Sequence, residues 1–126
     1  MRIAMMGSGG IGGYFGGRMA DAGADVTFIA RGRHLATMRS GGLRIESREM
    51  GDAVIDPVQA TDDPATLDPV DYVIIGVKLW DTEDVGRSIL PMLGPDTAIL
   101  SLQNGVDCDD ILAPIVGRER LISGVA

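Results

Sequence analysis

The sequence predicts an α/β domain, a doubly wound and mostly parallel sheet with helices on both faces, and three observations predict it. Short apolar runs alternate with longer stretches of helical character, as in strands joined by crossover helices. Several of those runs are apolar nearly throughout, as strands covered on both faces must be. The first run breaks into the stretch "GSGGIGGYFGG", where glycine recurs at a density that would cost a helix roughly 1 kcal/mol per residue unless something requires bare backbone.

Arg2 to Met6, apolar from Ile3, is the first strand, and the glycine turn leads into a helix from Gly10 to Ala22, stopped by Gly23. A second strand spans Asp25 to Ile29, and a helix from Arg33 to Ser40 ends at Gly41. A third strand spans Leu43 to Glu46. The stretch "SREMGDAVIDPVQATDDPATLDPV" is rich in prolines and acids, which suit a short hairpin and then a helical turn. A buried strand from Tyr72 to Val77 precedes a helix from Thr82 to Leu93, with Asp81 where an N-cap belongs and Gly94 after its end. A strand from Thr97 to Leu102, a helix from Asp109 to Val116 behind Asp107, and a strand from Leu121 to Val125 complete the chain. No repeat or linker divides it, so residues 1–126 read as one domain. The ending at "LISGVA", with no closing helix after a strand, suggests that further sequence belongs beyond residue 126.

Composition narrows the function. The chain has 126 residues, 45% of them hydrophobic, which is the size of one globular domain with a proper core. A net charge of -7 argues against a general binder of nucleic acid or membrane surfaces, because an acidic body repels polyanions. An anionic ligand must therefore be caught locally, and the basic residues do cluster: Arg31, Arg33, Arg39, Arg44 and Arg48 lie close together in sequence. Cys108 is the sole cysteine and His34 the sole histidine, so neither an internal disulfide nor a metal cluster is expected. A reducing, cytoplasmic setting fits, with no signal peptide and no stretch long enough to cross a bilayer.

Gly7, Gly9 and Gly12 form a GxGxxG pattern after a strand and at the start of a helix, the context that makes it a dinucleotide-binding fingerprint. The first glycine permits the tight turn, the second lets the main chain approach a pyrophosphate, and the third lets helix and strand lie close. The helix N-terminus then turns its free N–H groups toward the phosphates. Gly13, Gly16 and Gly17 extend this smooth face, for close packing against the sheet or the dinucleotide. Arg31 stands after the second strand, where an acid would accept from a ribose hydroxyl and an arginine accommodates a 2′-phosphate. Lys78, the only lysine, follows a buried strand and is expected to face the crevice beyond the strand ends. Asn104 precedes Gly105 at the end of the next strand. Each has a plain structural alternative: a solvated arginine, a lysine reaching for water, an Asn-Gly turn. What favours a site is convergence, since all of these positions follow strand ends on one rim of a parallel sheet.

In that order and spacing, "GSGGIGGYFG", "ARG", the "VK" and Trp of "VKLWDT", and "LQNG" resemble the ketopantoate reductase (2-dehydropantoate 2-reductase) family, over its N-terminal cofactor domain alone. The resemblance implies a Rossmann-type fold that binds NADP(H). Gly7, Ser8, Gly9, Gly10, Ile11 and Gly12 would hold the pyrophosphate, Arg31 the 2′-phosphate, Lys78 the adenosine side, and Asn104 the nicotinamide end beside the substrate. It further implies a small 2-oxoacid substrate and hydride transfer from NADPH to ketopantoate in pantothenate synthesis. The family's catalytic lysine and a homodimer interface would lie in a helical C-terminal domain outside this chain, so no catalytic residue is expected here and the chain alone is expected to be inactive. Two alternatives remain: an NADP-sensing module in which no hydride moves, and the N-terminal domain of another beta-hydroxyacid or 2-oxoacid dehydrogenase.

Overall fold

The computed structural model describes residues 2–7, 10–30, 32–46, 49, 51–56, 58–76, 82–101 and 107–123. Within them the chain runs β1 (Arg2–Met6), α1 (Gly10–Asp21), β2 (Asp25–Ile29), α2 (Gly32–Gly41), β3 (Leu43–Ile45), β4 (Ala53–Ile55) and β5 (Gln59–Thr61). It continues through β6 (Val70–Ile75), α3 (Thr82–Ser88), β7 (Leu93–Ser101), α4 (Asp107–Val116) and β8 (Leu121–Ser123). Six strands form one sheet in the order β5-β2-β1-β6-β7-β8, and every neighbouring pair in it is parallel. From β1 the chain steps outward to β2 and β5, then returns past β1 and steps the other way through β6, β7 and β8. The expected doubly wound fold is present.

Alternation along β1 explains why that strand is apolar from Ile3 onward. Ile3 and Met5 join Val26 and Phe28 in a core that takes in Leu35 and Met38 of α2 and, from α1, Met19 and Ala20. Ala4 and Met6 face the opposite side, where Val73, Ile75 and Ile99 pack on Val85 and Ile89 and on Leu112 and Val116 of α4. Each large side chain buried to the extent of Met5, Phe28 or Ile99 contributes on the order of 1.5 to 3 kcal/mol.

The glycines of α1 answer the question raised by their density in two different ways. A Cβ on Gly16 would meet Phe28 Cε1 at 2.6 Å and Met5 Cε at 3.2 Å, so this residue lets the helix lie close on the sheet, as expected. Gly17 instead abuts Ile45 and Leu43 of β3, which is neither the sheet nor a ligand surface. Gly16→Ala is expected to lower stability by about 1 to 3 kcal/mol through overpacking, against a helix-propensity gain of roughly 1 kcal/mol. Thermal melting checks the sign, and a variant more stable than the parent would show that Phe28 yields.

Residues 43–55 depart from the simple alternation. β3 pairs antiparallel with β4, Leu43 opposite Ile55 and Ile45 opposite Ala53, and the two form a separate hairpin laid on α1. The expected hairpin is therefore real but begins at the third expected strand rather than after it. Arg18 fastens it: its Nη2 donates to the Gly51 carbonyl while the guanidinium lies 5.5 Å from the Tyr14 ring centroid.

β5 was not expected at all, and it extends the sheet beyond β2. Side chains distant in sequence hold it there. Arg39 of α2 donates to the Ala60 carbonyl through Nε and Nη2 at 3.3 and 3.2 Å, and Gln59 Nε2 donates to Asp25 Oδ1 at 2.8 Å. The expected helical turn follows at Pro64–Thr66, capped by Asp63, whose Oδ1 accepts from Ala65 N at 3.0 Å.

Three boundaries shift for identifiable reasons. The glycine with positive φ that ends α2 is Gly42 (φ 77), one residue past Gly41. α3 stops at Ser88 and a 3₁₀ turn at Leu90–Met92 replaces its expected last turn. Gly94, expected after that helix, lies inside β7, where the register with β6 shifts between Val70 and Tyr72. Thr97 closes the irregularity: its buried Oγ1 donates to the Val70 carbonyl at 2.5 Å and accepts from Gly94 N at 2.8 Å. Among the described residues no helix is long and apolar enough to cross a membrane.

Candidate functional site

The site begins with the turn out of β1. Gly7 has φ 90, a conformation that residues with a Cβ rarely adopt, and its N–H donates to the Ile29 carbonyl at 3.3 Å, continuing the β1–β2 ladder one step past the strand. α1 starts three residues later at Gly10, so the chain reverses from strand to helix within a very short span. Gly10, Ile11 and Gly12 make the first turn of that helix, whose first N–H groups have no intrahelical acceptor. No acidic side chain stands in this turn, so the positive end of the helix dipole is left unopposed for an anion. A glycine turn of this geometry, a bare first helical turn and no local carboxylate together fit a pyrophosphate.

The register places the other strand ends on the same rim. Met6 lies opposite Ile29 and Ile75, Ile75 opposite Ser101, Ser101 opposite Ser123, and Ile29 opposite Thr61. Gly76 N donates to the Met6 carbonyl at 2.8 Å and Ala30 N to the Thr61 carbonyl at 3.0 Å, so the ladders persist one residue beyond the strands. Because the connections from β1 and β6 leave in opposite directions, the crevice beyond β1 and β6 is the topological switch point where open α/β sheets bind ligands. α1 begins at this crevice.

Of the residues singled out from sequence, Gly7, Gly10, Ile11 and Gly12 fall together in this strand–turn–helix unit. Ser8, Gly9, Arg31, Lys78 and Asn104 lie outside the described residues. Described residues stand nearest to three of them: Ala30, buried past the end of β2, and Gly32, which opens α2, flank Arg31, Gly76 stands two residues before Lys78, and Ser101, which closes β7, stands three before Asn104. Sequence reasoning missed the end of β5. It brings Thr61, Asp62 and Asp63 to the rim beside the end of β2, and the alternation of Val58 and Ala60 with polar residues was the only local signal for it. Among the described residues no group of three or more His, Cys, Asp or Glu side chains is placed to hold a metal ion.

Comparison with known proteins agrees with the geometry. Residues 3–126 match the family described as ketopantoate reductase PanE/ApbA. A 2-dehydropantoate 2-reductase of Mesorhizobium japonicum is 36% identical over 107 residues, 84% of this chain and 32% of that protein. The crystal structure of 2-dehydropantoate 2-reductase from Geobacter metallireducens superposes with a TM-score of 0.93 at 35% identity, covering 100% of this chain and 41% of that one. A D-mandelate dehydrogenase in ternary complex with NADH and anilino(oxo)acetate has a TM-score of 0.88 at 25% identity, covering 99% of this chain and 40% of that one. The chain thus spans about a third of the length of the curated relatives it matches. With a family match running almost end to end, a Rossmann-type sheet in the expected order and the glycine turn at its switch point, the chain belongs to the ketopantoate reductase family.

Proposed function

We propose that this chain is the NADPH-binding part of a cytoplasmic oxidoreductase that reduces a small 2-oxoacid, ketopantoate in the first instance, with the rest of the catalytic machinery in a C-terminal domain. The observation that carries the reading is the Gly7 turn delivering the bare first turn of α1 to the crevice between β1 and β6. Gly7 to Gly12 then accept the pyrophosphate on backbone N–H groups. Arg31, the second residue past β2, meets the 2′-phosphate with its planar fork of donors. Lys78 lies toward the adenosine side, and Asn104, past the end of β7, orients the nicotinamide and the substrate carbonyl beside it. The cofactor, when bound, supplies the hydride; the residues of this chain bind, orient and shield it.

A second reading, reduction of a different 2-oxoacid with NADH, is favoured by the likeness to the D-mandelate dehydrogenase, whose complex holds NADH. Arg31 separates the two. A charge-assisted hydrogen bond lost at this position costs about 1.5 to 3 kcal/mol, which is a preference for NADPH of about tenfold to hundredfold. Titrating both cofactors into the parent and into Arg31→Ala is expected to show that preference in the parent and its loss in the variant. Equal affinities in the parent would favour the second reading, and an unchanged preference in the variant would remove Arg31 from the 2′-phosphate.

A further inference from the structure

We infer that Asp62 and Asp63, brought to the rim by β5, set an upper limit on how strongly this protein discriminates NADPH from NADH. The inference rests on the reading that the 2′-phosphate is taken just past the end of β2. Among the described residues β5 is the strand beside β2 on the side away from β1. Its register runs Thr27 opposite Gln59, Phe28 opposite Ala60 and Ile29 opposite Thr61, and the Ala30 N–H donates to the Thr61 carbonyl. The next residues along β5 are therefore two consecutive carboxylates, one strand spacing of about 4.8 Å from the chain that leads into the 2′-phosphate position. Both are exposed.

Their place is fixed rather than incidental. Arg39 ties β5 to α2 through the Ala60 carbonyl, and α2 is the helix that opens immediately after the phosphate position. Asp63 is held by its own cap: its N–H donates to Thr61 Oγ1 at 3.2 Å while its carboxylate accepts from Ala65 N. Arg39, the nearest described base on α2 to make a bond here, spends its donors on a carbonyl and leaves both carboxylates uncompensated by it. A 2′-phosphate arriving at the end of β2 meets two negative charges on its open flank, which NADH, with a neutral 2′-hydroxyl, does not. Each charge within a Debye length weakens phosphate binding about threefold at low salt and less as salt rises.

The test is the ratio of NADPH to NADH affinity in the parent, in Asp62→Asn and in the Asp62→Asn/Asp63→Asn double variant, at low and near-physiological ionic strength. Asparagine at 63 keeps an oxygen to accept from Ala65 N, so the cap and the fold persist. Asp96→Asn, on β7 near the opposite edge of the sheet, controls for net charge. The ratio is expected to rise about threefold in the single variant and further in the double, with the gain shrinking as salt is added and absent in the control. An unchanged or lower ratio in the double variant, or an equal gain in the control, overturns the inference while leaving the 2′-phosphate reading intact. A parent that binds both cofactors equally overturns that reading and this inference together.

Discussion

Valine at Gly9 is expected to reduce dinucleotide affinity by at least about a hundredfold while leaving the melting temperature near that of the parent. Gly7 has already turned with φ 90, and α1 opens at Gly10, so only Ser8 and Gly9 join the two. The helix N–H groups reach a pyrophosphate only if the main chain at the second glycine of the motif approaches it directly. An isopropyl group inserted there holds the phosphates away from several charge-assisted hydrogen bonds at once, each of which is worth about 1.5 to 3 kcal/mol. The contrast with Gly16 makes the prediction discriminating. Gly16 faces Phe28 and Met5 inside the core, so bulk there is expected to cost folding and not contact with ligand. Isothermal titration paired with thermal melting reads the two effects separately; parental affinity in a folded Gly9→Val chain would show that the loop does not cradle phosphate.

Those two glycines also illustrate what the sequence could and could not reveal. β1 and β2 fall on the residues expected of them, because both strands are buried on both faces and their apolar runs end where glycine or polar chain begins. The glycine motif was readable for the same kind of reason: its function is a property of the backbone and needs no distant partner. β5 was not readable. Three residues at a sheet edge carry little pattern of their own, and what holds them, Arg39 on α2 and the Gln59–Asp25 bond, is tertiary. Gly17 shows the same limit. Its spacing announced a close contact, but only the placement of the hairpin on α1 identified Ile45 and Leu43 as what lies there. Gly94 reads as the residue after a helix end, yet it lies inside one long strand; the register with β6 shifts there, and Thr97 and the Arg120 Nη1 bonds to the Gly94 and Thr97 carbonyls hold the irregular stretch. In the site, the rim of strand ends was legible from the parallel pattern. The roles of Arg31, Lys78 and Asn104 rest on their order in the motif, since these residues lie outside the described ones.

The 126-residue chain is expected to bind NADPH and yet fail to reduce ketopantoate. Hydride transfer to a ketone builds charge on the oxygen, and a positioned acid or cation that neutralises it contributes typically 10² to 10⁴ in rate, so its absence leaves turnover lower by about that factor. The described residues supply none. Tyr14 sits in α1 with its ring 5.5 Å from that of Phe15 and under the Arg18 guanidinium. Tyr72 lies near the start of β6, where it lines a pocket with Asp71, Asp96 and Ala98 toward the starting ends of β6 and β7, away from the rim of strand ends that carries the switch point. Ser101 closes β7 at the correct rim, but a buried hydroxyl is a weak acid and already has a partner. In the proposed reading Lys78 stands on the adenosine side of the cofactor, and Asn104 would orient a carbonyl without protonating it. The acid is therefore expected from the part of the polypeptide that relatives more than twice this length carry beyond the matched span. Ketopantoate-dependent NADPH oxidation by the purified chain decides the point: turnover near that of a complete reductase, abolished by Lys78→Ala, would place the catalytic lysine in this domain.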